Sequence, residues 1–197
     1  MSDQREPVAP GSATLNGDLR GVLRIAPFRR LWLALSLSSL GDWLGLLATT
    51  AMAAELTTDS SKNQNYAVAG VFILRLIPAV IFAPIAGVVA DRLNRKATMV
   101  FCDICRASLF ISIPIVGSLW WLLTATFLIE AFSLFWIPAK EATVPNLVPP
   151  ERLEAANQLS LVTAYGSAPV AAGLFTVISL ITGSIGAQYH FFVTHPA

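Results

Sequence analysis

Five ionisable residues interrupt otherwise apolar stretches of this chain: Asp42, Arg75, Asp103, Arg106 and Glu130. A carboxylate or guanidinium among aliphatic side chains is expensive to keep charged, so it persists where it has a partner, water, or a proton to exchange. The chemistry on offer is therefore proton binding, cation binding or ion pairing. A second charged group is compact and lies between two long apolar segments. It reads Gly87-x-x-x-Asp91-Arg92-x-x-Arg95-Lys96.

The elements that must position these groups are membrane helices. Charged residues make up 13% of the 197 residues and hydrophobic ones 55%, against a charged fraction of about 25% in soluble domains. A helix needs about 20 mostly apolar residues to cross the hydrocarbon. Five windows qualify, at about 31–56, 66–90, 97–117, 118–139 and 157–181. The third and fourth nearly touch, and a tight hairpin at Gly117-Ser118 separates them. Trp120 and Trp121 there suit the headgroup level. Residues 1–30 form a polar, basic tail, and 183–197 a short outer tail.

Lys and Arg set the orientation. Arg5, Arg20, Arg24, Arg29 and Arg30 precede the first span, and Arg92, Arg95 and Lys96 follow the second. Lys140 and Arg152 follow the fourth, whereas the intervening loops carry Lys62 alone. This alternation predicts a cytoplasmic N-terminus. Leu19, Val22, Leu23 and Ala26 share one helical face. That suits a short helix lying on the anionic inner leaflet; a basic flank that only sets topology is the alternative. The near-zero net charge of +1 gives no basic face for nucleic acid.

Asp42 lies near the middle of span one. A charge at a helix centre costs roughly 2.5–3.5 kcal/mol and each Leu returns about 0.3–0.6. The eight leucines from Leu31 to Leu47 therefore allow insertion, with Asp42 facing protein or a wet cavity. Gly41 and Gly45 beside it permit close approach of another helix. Matching by depth places Arg75 near Asp42, within about 6 Å along the axis, and Arg106 near Glu130 across the hairpin. Asp103 shares a face with Arg106. Asp42 or Glu130 is then a candidate proton or substrate site, with Arg75, Asp103 and Arg106 as ion-pair partners; a purely structural buried pair is the alternative.

In its setting between spans two and three, the Gly87–Lys96 turn resembles the signature of the major facilitator superfamily of secondary transporters, Gly-x-x-x-Asp-(Arg/Lys)-x-Gly-(Arg/Lys)-(Arg/Lys). Gly87, Asp91, Arg92, Arg95 and Lys96 match. Asn94 replaces a glycine, and Asn tolerates left-handed dihedrals next best. The resemblance implies a conformational latch, with Asp91 facing a helix N-terminus of another half and the basic residues supporting it; three cations that merely enforce topology are the alternative. Span five carries Gly166, Pro169 and Gly173 where exporters of this kind have a glycine-rich antiporter motif, with Ala164, Ala168 and Ala172 in place of other glycines. Small residues allow close helix packing and Pro169 bends the helix. The stretch Ala142–Asn157 is similar to the corresponding loop of the drug- and siderophore-exporter branch.

The resemblance implies an all-α membrane protein: about five transmembrane helices of a six-helix major-facilitator half, set in a bacterial inner membrane. It further implies a proton-coupled secondary exporter of small organic molecules, not an enzyme, using no cofactor. The implied partners are the lipid bilayer, a small-molecule substrate, and a missing C-terminal half or another membrane chain. On this reading the chain is a truncated or partial one, inactive alone. A non-transporting five-span protein that associates with other membrane subunits is the competing expectation. Some relatives of this kind continue into a thymidylate kinase domain, but no phosphate-binding Gly-x-x-x-x-Gly-Lys-(Ser/Thr) occurs here. Cys102-x-x-Cys105 lacks a second ligand pair and reads as packing, so no metal is expected.

Overall fold

The computed structural model describes the backbone of residues 19–57, 61–92 and 94–194, and the side chains of 19–57, 61–82 and 94–182. The first part of the expected polar tail, residues 1–18, and the side chains of Gly87, Asp91 and Arg92 lie outside the described residues.

Five long helices follow one another: α1 (Ala26–Glu55), α2 (Ser61–Arg92), α3 (Arg95–Val116), α4 (Leu119–Glu141) and α5 (Leu153–Thr194). Among the described residues there is no strand. All five are long and apolar enough to cross a membrane, which bears out the all-α membrane class. The bounds match the five hydropathic windows to within a few residues at most ends. The last helix differs, because it runs to Thr194 rather than ending near 182.

Local chemistry explains the breaks. Gly117 ends α3 in the left-handed conformation, φ 60°, which glycine adopts without Cβ strain. Ser118 then precedes α4, so the hairpin turns within two residues. Two short 3-10 turns, Val144–Asn146 and Pro150–Arg152, join α4 to α5. Proline supplies the fixed φ at their starts.

Asn94 departs from the expected left-handed role. Its φ is −67° and its side-chain oxygen accepts the Ala97 N–H at 3.2 Å. Asn therefore suits this position as the N-cap of α3, a task that glycine performs less well through its backbone alone. Replacing Asn94 with Ala should destabilise the chain by about 0.5–2 kcal/mol. A left-handed residue would make Asn94→Gly neutral or stabilising; the capping role predicts a small loss, measurable by thermal unfolding in detergent.

Two of the three most extensive packings join helices that are not neighbours in sequence. The most extensive contact is α2 with α4, followed equally by α1 with α5 and α3 with α4. Exchanging α1 with α4 and α2 with α5 maps the α2–α4 pair onto the α1–α5 pair. Ala53, Ala67, Val71, Ile113, Leu122, Ala125 and Ile129 form one buried cluster, where α1 and α3 end and α2 and α4 begin. Val22, Phe28, Val144, Val148, Ala155 and Ala156 form another at the opposite, basic end. Outward-facing residues such as Leu37, Val80, Ile115 and Trp120 are at least 73% exposed, so lipid is the medium they match. Hydroxyls in the spans return to their own backbone: Thr49 donates to the Gly45 carbonyl at 2.7 Å and Thr126 to Leu122 at 2.8 Å. That satisfies them without water.

The segment at 19–23 is helical, and its apolar face meets protein. Val22 is fully buried in the basic-end cluster, while Arg20 and Arg24 are exposed. Arg152 donates to the Gly21 carbonyl at 3.2 Å. The chain entering α1 is thus fixed to the connection between α4 and α5.

Candidate functional site

The intramembrane charges fall into two ion-paired groups. Arg75 on α2 contacts Glu130 on α4, Nη2 to Oε1, at 2.6 Å. Arg106 on α3 contacts Asp42 on α1 and lies 3.5 Å from Asp103 one turn before it. Arg106 also donates to Ser38 Oγ at 3.4 Å. Trp136 on α4 donates its indole N–H to the other Asp103 oxygen at 3.2 Å. Arg106 therefore stands between carboxylates of α1 and α3, and Asp103 is in turn held by α4.

The expected pairing is exchanged. Matching by depth joins Arg75 to Asp42 and Arg106 to Glu130, whereas the structure joins Arg75 to Glu130 and Arg106 to Asp42. Depth fixes one coordinate, and the choice among residues at similar depth belongs to lateral packing. The α2–α4 contact is extensive, which brings Arg75 and Glu130 together. Arg106 faces α1 because long side chains of α3 reach across to α1 along one seam. Asp42–Arg106 is one step of that seam and Gly45–Phe110 the next. A Cβ on Gly45 would lie 2.6 Å from the Phe110 ring, whereas one on Gly41 would meet nothing within 4 Å. Of the two expected glycines, Gly45 is the one another helix uses. Gly45→Val should cost about 1–3 kcal/mol by overpacking, and Phe110→Ala in the same chain should recover part of it in an unfolding assay.

Three carboxylates face two guanidinium groups in this layer, which leaves one excess negative charge when all are ionised. Arg106 is almost enclosed, its side chain 7% accessible, whereas that of Asp42 is 39% accessible. Asp42 lines a cavity of 320 Å³ with Ser39, Trp43, Leu46, Arg75 and Ala164. Asp42 and Arg75 thus share a cavity although each is bonded elsewhere.

Two tryptophans that sequence reasoning had not assigned complete the site. Trp136 orients Asp103, and Trp43, next to Asp42, donates to the Ala164 carbonyl of α5 at 2.9 Å. Trp32 donates to Thr163 Oγ1 at 2.8 Å one residue earlier. The usable signal was an indole donor within a span, and its partner lies more than a hundred residues away in both α1 cases.

The charged turn and the α5 motif stand apart from this layer. Arg95, in the first turn of α3, donates to the Ala142 carbonyl at the end of α4 at 2.9 Å. Lys96 is exposed beside it. The backbone of Gly87, Asp91 and Arg92 belongs to α2. On α5, Gly166, Pro169 and Gly173 are exposed, and a Cβ on either glycine would meet nothing within 4 Å. Among the described residues no helix uses the close approach they permit. Cys102 and Cys105 are free thiols, and no group of three or more metal-binding side chains occurs among the described residues.

Comparison with known proteins adds the following. A family model described as transmembrane secretion effector matches residues 21–193. A protein of Bacillus subtilis (strain 168) described as the uncharacterized MFS-type transporter YfiS is 31% identical over 125 residues. That match covers 64% of this chain and 29% of the relative, so the chain matches under a third of the relative's length. No solved structure matches it significantly.

Proposed function

Since the chain belongs to the transmembrane secretion effector family of the major facilitator superfamily, we propose that it works in membrane transport as part of a proton-coupled secondary exporter of small organic molecules in the cell membrane. The observation that carries the proposal is the position of Asp42. It is an accessible carboxylate in the middle of a span, held by a cation from a second helix and lining a cavity. A carboxylate so placed can trade its internal cation for a proton or a positively charged substrate. Arg106 is the group released in that exchange, and Asp103, 3.5 Å away, is the carboxylate positioned to receive its charge. Asp91, Arg92, Arg95 and Lys96 would act at the basic end as the latch that holds the bundle against a second membrane body, with Gly87 leaving room for it.

This division of labour requires that second body. The Asp42 cavity is bounded by α1, α2 and α5 and has no further wall among the described residues. Two arrangements in proteoliposomes test the proposal, with ethidium as the probe and a pH gradient as the driving force. The chain alone should accumulate no ethidium. The chain joined to the remaining part of the Bacillus relative should accumulate it, and a protonophore should abolish the accumulation. Gradient-driven uptake by the chain alone would overturn the requirement for a second body. A joined protein that moves neither ethidium nor protons would overturn the transport assignment.

A further inference from the structure

Two cavities of the bundle meet at one residue. The first, 490 Å³, lies at the basic end between α4 and α5, where Lys140, Glu141, Asn157 and Ser160 supply its polar wall and Ala164 its inner limit. The second is the 320 Å³ cavity that holds Asp42, and Ala164 lines it too. The Trp43 indole is bonded to the Ala164 carbonyl at 2.9 Å, so the side chain that follows Asp42 is fastened at the junction. We infer that the two cavities are successive compartments of one path from the basic end to Asp42, selective for organic cations, with Trp43 closing it at Ala164.

Charge and shape argue the selectivity. The outer compartment carries Lys140 and Glu141, opposite charges that give its mouth no strong preference. The inner compartment shows a guanidinium already paired with Glu130 at 2.6 Å and the more accessible carboxylate of Asp42, in a layer with one excess negative charge. Trp43 adds an aromatic ring beside that carboxylate, and an indole face attracts a cation. The inference deepens the reading of Asp42 as the working carboxylate by naming the substrate's charge and the gate on its route.

Cysteine labelling tests it without any transport. The full chain would carry Cys102→Ser and Cys105→Ser, with either Ser160→Cys in the outer compartment or Ser39→Cys in the inner one. It would be studied in inside-out membrane vesicles, where the basic end is expected to face the medium. The probes are two membrane-impermeant methanethiosulfonates, one a trimethylammonium and one a sulfonate, each normalised to its rate with a free thiol. Lipid excludes both, so they reach Ser39 only through protein. The Ser160→Cys variant should react with the two reagents at similar rates. The Ser39→Cys variant should favour the cation by about tenfold or more, as expected for a charge at close range in a medium of intermediate dielectric constant, and Asp42→Asn should remove the preference. Trp43→Phe, which keeps an aromatic ring but loses the indole N–H, should speed labelling at Ser39→Cys several-fold and leave Ser160→Cys unchanged. Three results would overturn the inference: no labelling at Ser39→Cys while Ser160→Cys reacts, a preference indifferent to Asp42→Asn, or equal acceleration at both sites by Trp43→Phe. Labelling as described together with absent transport in the joined protein would sink the transport reading and leave the path standing.

Discussion

Arg106→Leu should destabilise the chain by about 1–3 kcal/mol, the cost of leaving charged acceptors without their donor. This is below the range for a wholly buried ion pair because the two acids left behind are 39% and 50% accessible. Arg106 is 7% accessible and touches two carboxylates and a hydroxyl. Without it, Asp42 and Asp103 face each other's charge in a medium that screens poorly. Trp136 still bonds Asp103, but a neutral donor does not replace a cation. Arg106→Lys keeps the charge and loses the forked geometry that reaches both acids, so its loss should be smaller. The double variant Arg106→Leu with Asp42→Leu should be less destabilised than Arg106→Leu alone, because one orphaned carboxylate goes with its partner. Unfolding in mixed micelles with a denaturing detergent reads all three. A double variant no better than the single would show that Asp42 and Arg106 are not coupled.

The second large effect is on transport. Asp42→Asn keeps the size of the side chain and a hydrogen-bond acceptor for Arg106, and Asp103 remains as counter-ion. The fold should therefore survive. The site loses the charge that would attract a cation or bind a proton. A hydrogen bond to a charged group is worth about 1.5–3 kcal/mol, which corresponds to a loss of roughly tenfold to a hundredfold in the initial rate of ethidium uptake. Substituting Glu130 should act differently: Glu130→Gln removes the partner of Arg75 at 2.6 Å from a pair whose side chains are 22% and 20% accessible, so the loss should appear mainly in stability.

Much of this architecture was legible in the residues. The length of the apolar runs indicated five helices, and the observed bounds follow them closely except at the end of the last. The Gly117 hairpin could be read because the left-handed turn there is local chemistry. Asn94 was harder, since its capping role depends on where α3 begins. The charged residues of the site were identifiable as costly groups in apolar segments, but their pairing was not. Arg75, Asp42, Arg106 and Glu130 occupy similar depths, and the choice among them is made by which helix faces pack. Gly45 and Phe110 make that choice for α1 and α3, sixty-five positions apart in sequence, and nothing local to either announces it. Trp43 and Trp136 were missed for the same reason, because an indole in a span becomes a site residue only when its acceptor arrives from another helix.

The most direct test of the account is the dependence of ethidium accumulation on an imposed pH gradient. It would be measured in proteoliposomes for the joined protein and its Asp42→Asn and Asp42→Glu variants. The account predicts gradient-driven accumulation in the parent, partial retention with Glu, and with Asn a rate at least about tenfold below the parent's although the Asn variant folds normally. Accumulation in the Asp42→Asn variant that follows the gradient as in the parent would contradict it.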